Sequence, residues 1–393
     1  MHLDGILDEI LVPRPNGSAG LERVAGFLVA TLGRYTPDVV REPFPATPYG
    51  FQLVWALLLV LVSAYGVMLV RRRYRVALIL AAIAPVVLVL EFELLRSPVS
   101  GLVTTSEDNV IGTFAGRPGG PTLLLSAHYD TATHFGDHLV WYRWARWLAP
   151  ATGLAAAVPV LALLWPRIGA GLPQAALVAS ALAVLVPFSA MAFFFAAGPM
   201  LRAPSPGALD NGGSVAALLR LGESLARRPA EAPTTVKLVF FAGEEERALG
   251  SWHYTAGLRN AAAPRPVAIN LEGIGSGFGL TYVPEDGFAL RRYASGDALP
   301  ALLRTVARDA GIAPPVAAPL PPGTLTDGRS FLARGIPSVT IRGVADGGFP
   351  RRLHSWRDSR ERLSLAAIEE AVALLDALVR HVDAHPSALA ALD

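Results

Sequence analysis

The sequence predicts an α/β protein: a mostly parallel mixed sheet flanked by helices, with two transmembrane helical hairpins inserted. Three observations predict it. Short β-branched and apolar runs alternate with stretches of helical periodicity, the pattern of βα units. Polar residues able to do chemistry fall just past the ends of those runs, where open α/β sheets build their sites. Four long apolar runs stand in two adjacent pairs. The composition agrees with membrane spans: 17% of the 393 residues are charged and 52% apolar, against about 25% charged in soluble domains, and the mean hydropathy is +0.41.

Residues 6–42 have soluble character. Pro13 to Ser18 read as a turn, residues 19–32 as a helix with Leu21, Val24, Phe27 and Leu28 on one face, and residues 38–41 as the start of a strand. Residues 51–70 are uncharged and apolar, about 20 in number, enough to cross the roughly 30 Å of a hydrocarbon core. Arg71, Arg72, Arg73 and Arg75 follow. Residues 76–90 are again apolar, closed by Glu91 and Glu93. Two strands come next, 109–114 and 122–127, joined by a Gly/Pro turn; the second runs into His128-Tyr129-Asp130. Trp, Tyr and Arg crowd residues 141–147, as at a membrane interface, and the spans 148–165 and 175–200 complete the second hairpin. Neither has an ionisable residue at its centre, so no ion or proton path is indicated.

From Arg202 the chain reads as soluble. Gly207-Ala208-Leu209-Asp210-Asn211 leads into an amphipathic helix. Residues 235–241 form a buried strand ended by Gly243, with Glu244 and Glu245 beyond it. Residues 266–271 form another strand, which ends at Glu272. A helix at 298–310, a Pro-rich loop at 311–323, Asp327, a strand at 336–341, His354 and a closing helix at 365–382 complete the chain.

Cysteine is absent, so a metal site here must use His, Asp and Glu. Side-by-side carboxylates at a strand end repel unless a cation or water separates them. A metal gives both work: one binds it and the other handles the proton of the bound water. The net charge of +2, with no basic stripe interleaved with aromatics, argues against nucleic acid as a partner. The N-terminus lacks the basic start and apolar core of a signal peptide. Four further features get plain readings. His134, Asp137 and His138 read as a polar loop in preference to an accessory metal site. His253 reads as structural, Glu91 and Glu93 as interfacial charges, and the arginine cluster as a topology signal with lipid contact as a by-product.

In order and wording, His128-Tyr129-Asp130, Gly207 to Asn211, Phe241-Ala242-Gly243-Glu244-Glu245, Asn270-Leu271-Glu272 and Leu353-His354-Ser355 with Asp358 resemble the co-catalytic di-zinc aminopeptidase and glutamate carboxypeptidase family. The resemblance covers the soluble sequence, roughly 300 residues. It implies the zinc exopeptidase fold of the phosphorylase/hydrolase-like type and two Zn²⁺ per chain. His128 and Glu272 would bind one zinc, Glu245 and His354 the other, and Asp210 would bridge them. Asp130 would orient His128. Glu244 would be the general base, a metal-bound hydroxide the attacking group and a peptide the substrate. Glu272 stands where aspartate is commoner in the family. Leu353 precedes His354, and Gly328 follows Asp327, where relatives carry other side chains.

The family motifs lie close together where this chain separates them. Both insertions hold an even number of spans, so the chain returns to the side it left. One catalytic domain can then form from 1–50, 96–140 and 201–393, with 51–95 as the first hairpin and 141–200 as interfacial segment and second hairpin. The bilayer is therefore an expected partner. The basic 71–75 loop favours the cytoplasm, which puts the catalytic domain outside it. The function so implied is a membrane-anchored zinc exopeptidase of aminopeptidase type. Alternatives are a single-zinc glutaminyl cyclase-like enzyme, or an inactive receptor or scaffold of the same fold. Side-chain preference and oligomeric state are not legible in the sequence.

Overall fold

The computed structural model describes residues 2–136, 143–258, 265–277, 279–321, 323–344 and 351–392. Asp137, His138, Trp141 and Tyr142, singled out above, lie outside them. The chain folds as two compact units: 1–48, 105–132 and 204–393 form one, and 49–104 with 133–203 form the other.

In the first unit an eight-stranded sheet forms among the described residues. Its strands are β1 (Asp38–Ala46), β2 (Thr105–Phe114), β3 (Thr122–His128), β4 (Thr235–Phe241), β5 (Val267–Glu272), β6 (Leu280–Tyr282), β9 (Val316–Ala317) and β10 (Ser338–Gly343). The spatial order is β1-β2-β4-β3-β5-β10-β6-β9. β4, β3, β5 and β10 are mutually parallel; β1, β2 and β6 pair antiparallel at the flanks. A two-stranded ribbon, β7 (Glu285–Asp286) with β8 (Tyr293–Ala294), stands apart. The α/β class read from the sequence is the class observed.

The central strands are covered on both faces. That is why Leu123-Leu124-Leu125 and Leu238-Val239-Phe240-Phe241 are unbroken apolar runs rather than alternating ones. One face packs the helices Leu3–Ile10, Ala19–Leu32, Gly213–Leu225 and Leu365–Ala384, whose Leu7, Leu28, Leu218 and Leu378 share the main core. The other face gathers Ile111, Val239, Phe241, Tyr254 and Phe331. Ser18 caps the second helix by accepting from the Leu21 amide at 3.2 Å, and Ser364 caps Leu365–Ala384 by accepting from Ala367 at 3.2 Å.

The second unit is built on Gly50–Val70, Tyr74–Leu88 with a π-helical turn Val89–Glu93, Leu148–Leu164 and Gln174–Leu201. Its interior is aromatic at one level, where Phe51 stacks on Phe195 at 4.7 Å and Trp55 on Phe195 at 5.7 Å. Elsewhere it uses small residues four apart. Ala77 and Ala81 on the second helix, and Ala151 and Ala155 on the third, are buried, the device by which helices approach closely without a hydrophobic drive. The outward faces stay apolar: Val60 is 65% exposed, Ile79 60% and Leu182 51%. Glu91, read as an interfacial charge, is fully buried within its unit and accepts from the amides of Val99 (2.7 Å) and Ser100 (3.1 Å). Residues 96–104 group with the helices.

Candidate active site

Three parallel neighbours deliver side chains at the same sheet edge. β3 ends in His128, β4 runs into Gly243-Glu244-Glu245, and β5 ends in Glu272. Gly243 takes φ +71°, and a Cβ there would lie 3.0 Å from the Phe44 ring, so the turn that presents the glutamates requires glycine. Asp210 comes from the turn Ala208–Gly212 that opens the helix Gly213–Leu225. His354 comes from the loop after β10.

The structure brings the five proposed ligands together in two groups that share Asp210: His128, Asp210 and Glu272, and Asp210, Glu245 and His354. In the first, His128 Nε2 lies 3.1 Å from Asp210 Oδ1 and 3.6 Å from Glu272 Oε2. In the second, His354 Nε2 lies 2.9 Å from both Asp210 Oδ2 and Glu245 Oε2. Two donors about 2.0–2.1 Å from a tetrahedral zinc stand roughly 3.3 Å apart, so both groups have the spacing of a ligand shell. Both ring nitrogens of His128 are buried without a well-formed hydrogen bond, and a ligand role would satisfy one of them. The donor set is imidazole and carboxylate, which suits zinc.

Electrostatics point the same way. Burial opposes a charged His128, yet Glu244, Glu272, Asp130 and Asp210 raise its pKa well above the usual value. His354 behaves alike, with Glu245 and Asp210 overcoming burial. Burial pushes Glu244 well up, with Glu272, Asp327 and Glu245 adding to it, and lifts Glu245 to about 7. Asp327, fully buried, rises to about 7 through burial and the like charges of Asp130 and Glu272. So many carboxylates in one buried place call for positive charge.

Asp130 is a brace. Its Oδ1 lies 3.4 Å from His128 Nδ1 and accepts from the Glu244 amide at 3.2 Å; its Oδ2 accepts from the Glu245 amide at 3.1 Å and from Asn16 Nδ2 at 2.8 Å. Glu245 Oε1 accepts from the Ala132 amide at 3.0 Å, leaving Oε2 for the site. Glu244 Oε2, 3.9 Å from His128 Nε2, belongs to neither ligand group. Asp358 accepts from the amides of Leu209 and Asp210, each at 3.0 Å. Asn211 ties the same turn to β5 by donating to Leu271 O at 2.9 Å and accepting from the Gly273 amide at 3.1 Å.

Sequence reasoning missed Arg14. Read as part of a turn, it is fully buried and donates to the carbonyls of Tyr129, Pro206 (2.6 Å) and Gly207 (3.0 Å), joining the segments that carry His128 and Asp210. A lone arginine between prolines gives no signal of this. Glu246 was also passed over; it is buried and accepts from the Thr47 amide at 2.6 Å. His253 stacks on Phe44 at 5.8 Å, in keeping with its structural reading.

Residues 192–379 match the model of Peptidase family M28. The chain resembles the M28 peptidases. The matched stretch, just under half of the chain, contains Asp210, Glu244, Glu245, Glu272 and His354; the fold adds His128 and Asp130 from outside it. With this match and this ligand set the protein is a zinc metallopeptidase. A search of curated proteins finds no match.

Solved structures share the fold at low identity. BSAP, a zinc aminopeptidase from Bacillus subtilis, aligns with TM-score 0.55 and 13% identity over 97% of this chain and 94% of its own. In a second structure of it the alignment spans 50% of that chain, at TM-score 0.44. A Zn-dependent exopeptidase from Parabacteroides distasonis aligns with TM-score 0.54 and 16% identity, over 96% and 97% of the two chains. A glutaminyl cyclase from an Acidobacteriales bacterium aligns with TM-score 0.55 and 13% identity, over 97% and 92%.

Proposed function

We propose that the protein is a membrane-anchored zinc aminopeptidase that holds two Zn²⁺ per chain. The observation that carries the metal count is the sharing of Asp210: each of its oxygens completes a separate ligand group. Zinc in these groups would polarise the scissile carbonyl and acidify a water. Glu244, outside both groups, is placed to take that water's proton and return it to the leaving amine. Asp130 holds the amides of both glutamates and faces His128 Nδ1, so it fixes the ring and the turn together. Two dications would leave carboxylate in excess among Asp130, Asp210, Glu244, Glu245, Glu272 and Asp327. A site with that residual charge favours a substrate with a free ammonium, hence an N-terminus.

Four helices among the described residues are long and apolar enough to span a bilayer, with 22–44% of their most apolar windows buried. Lipid is the solvent that their outward Val, Ile and Leu side chains require. The basic loop at 71–75 supports a cytoplasmic position for the hairpin tips and an extracytoplasmic one for the catalytic unit.

The test is zinc per chain by elemental analysis, together with hydrolysis of aminoacyl-arylamides, the same substrates N-acetylated, N-blocked acidic dipeptides, and cyclisation of N-terminal glutamine. Two zinc ions and cleavage that N-acetylation abolishes are expected. One zinc ion with cyclisation would establish the glutaminyl cyclase reading instead, and cleavage of blocked dipeptides a carboxypeptidase.

A further inference from the structure

Two connections of the helical unit, residues 71–75 at the junction of its first two long helices and the short helix Pro166–Gly171, carry five arginines, and they divide into two kinds. Arg72, though exposed, is engaged by the protein itself. Its guanidinium donates to the carbonyls of Gly169 (2.8 Å), Ala170 (3.3 Å) and Leu172 (2.7 Å). Tyr74 adds a hydroxyl to Gly169 O at 2.7 Å, and Gln174 donates to Val70 O at 3.1 Å. Arg72 sits at φ +58°, a left-handed conformation costly for a side-chain-bearing residue, and these bonds hold it there. The tips of the two hairpins are thereby fastened into one platform.

Arg71, Arg73, Arg75 and Arg167 are the other kind. All four are exposed, and their guanidinium groups have no hydrogen bond or ion pair among the described residues. Nothing acidic is near in sequence: residues 49–90 and 143–203 contain no Asp or Glu. Trp165 and Ile168, 52% and 53% exposed, stand beside Arg167, as side chains at a bilayer interface do.

We propose that this platform binds acidic phospholipid headgroups, with Arg71, Arg73, Arg75 and Arg167 as the phosphate ligands and Arg72 as their scaffold. The proposal rests on the membrane-spanning reading of the four helices. Arg71 directly follows the helix Gly50–Val70, and Arg167 lies two residues past Trp165, which caps Leu148–Leu164. Side chains one turn beyond an apolar span lie at headgroup depth. Guanidinium forks match phosphate oxygens bidentately. Four like charges on one small surface repel, and an anionic leaflet relieves that repulsion where a zwitterionic one does not.

The experiment is native mass spectrometry of the detergent-solubilised full chain with added phosphatidylglycerol or phosphatidylcholine. The wild type should retain phosphatidylglycerol preferentially. The variant Arg71→Gln/Arg73→Gln/Arg75→Gln/Arg167→Gln should lose that preference, about fivefold in affinity per arginine, with zinc content unchanged. Arg72→Gln should lower Tm equally in both lipids. Millimolar inorganic phosphate should not displace the lipid; displacement would make the platform a free-phosphate site and overturn the proposal. Equal retention of the two lipids, or an unchanged preference in the fourfold variant, overturns it as well. A wild type that stays monodisperse without detergent overturns the membrane reading beneath it.

Discussion

Asp130 receives the amides of both Glu244 and Glu245, so the two glutamates share a support while facing different atoms. Glu245 points at His354, and Glu244 stands apart from both ligand groups. Their isosteric variants should therefore separate. Glu244→Gln should keep its zinc and lose about 10²–10⁴-fold in turnover, the usual worth of a general base. Glu245→Gln and His354→Ala should lose zinc first and regain part of their activity in excess zinc. Zinc per chain and hydrolysis rate for each purified variant decide it; equal zinc loss in the two glutamate variants would mean the roles are misassigned. Residues at strand ends were legible because the sheet itself puts them at one edge: His128, Glu244, Glu245 and Glu272 need only be counted from the last apolar residue. Arg14 and Glu246 act through backbone amides and carbonyls far away in sequence, and a charged side chain that serves the main chain leaves no spacing to read.

At the scale of elements, the turn at Asp210 depends on close approach. A Cβ on Gly213 would lie 1.9 Å from the carbonyl oxygen of Ile274. Gly213→Ala should therefore cost about 1–3 kcal/mol, as overpacking does, and should lower zinc loading because Asp210 rides on the same turn; an unchanged Tm would show the turn to be pliable. The ribbon β7–β8 offers a pH test. Asp286 accepts from the Thr326 amide at 3.1 Å and from its hydroxyl, and burial raises its carboxyl to about 6. Between about pH 4 and 6 the folded state holds a proton that the unfolded chain has released. Stability therefore falls as pH rises through that window, by up to about 3 kcal/mol. Asp286→Asn should remove this loss, so wild-type Tm should drop relative to the variant between pH 4 and pH 7, and parallel Tm curves would refute it. The long elements were legible from their periodicity. Strands of two or three residues, such as β6, β7 and β9, were not, because partners rather than local sequence define them. Residues 311–323 read as a Pro-rich loop for that reason, yet they contain β9.

For the whole molecule, the predicted consequence of two inserted hairpins is a protein that needs detergent and exposes its catalytic unit on one side only. Protease added to intact cells should cut within 204–393 and spare the loop at 71–75; cutting of the catalytic unit only after lysis would reverse the orientation. Four helices long and apolar enough to cross a membrane were legible from composition, since length and apolarity are what mark them. Their number matters as much as their length: His128 and Asp210 belong to one unit, which an even number of crossings in each insertion would permit.

The strand order adds a constraint on biosynthesis. β4 lies between β2 and β3 in the sheet but is made after both, and after the whole second pair of long apolar helices. At about 5–20 residues per second, the roughly 100 residues between β3 and β4 take on the order of 5–20 s to emerge. For that interval β2 and β3 wait with open edges, their central partner still on the ribosome. Open edges of this kind invite pairing with other chains, so the nascent protein is most exposed to aggregation just before its active site can exist.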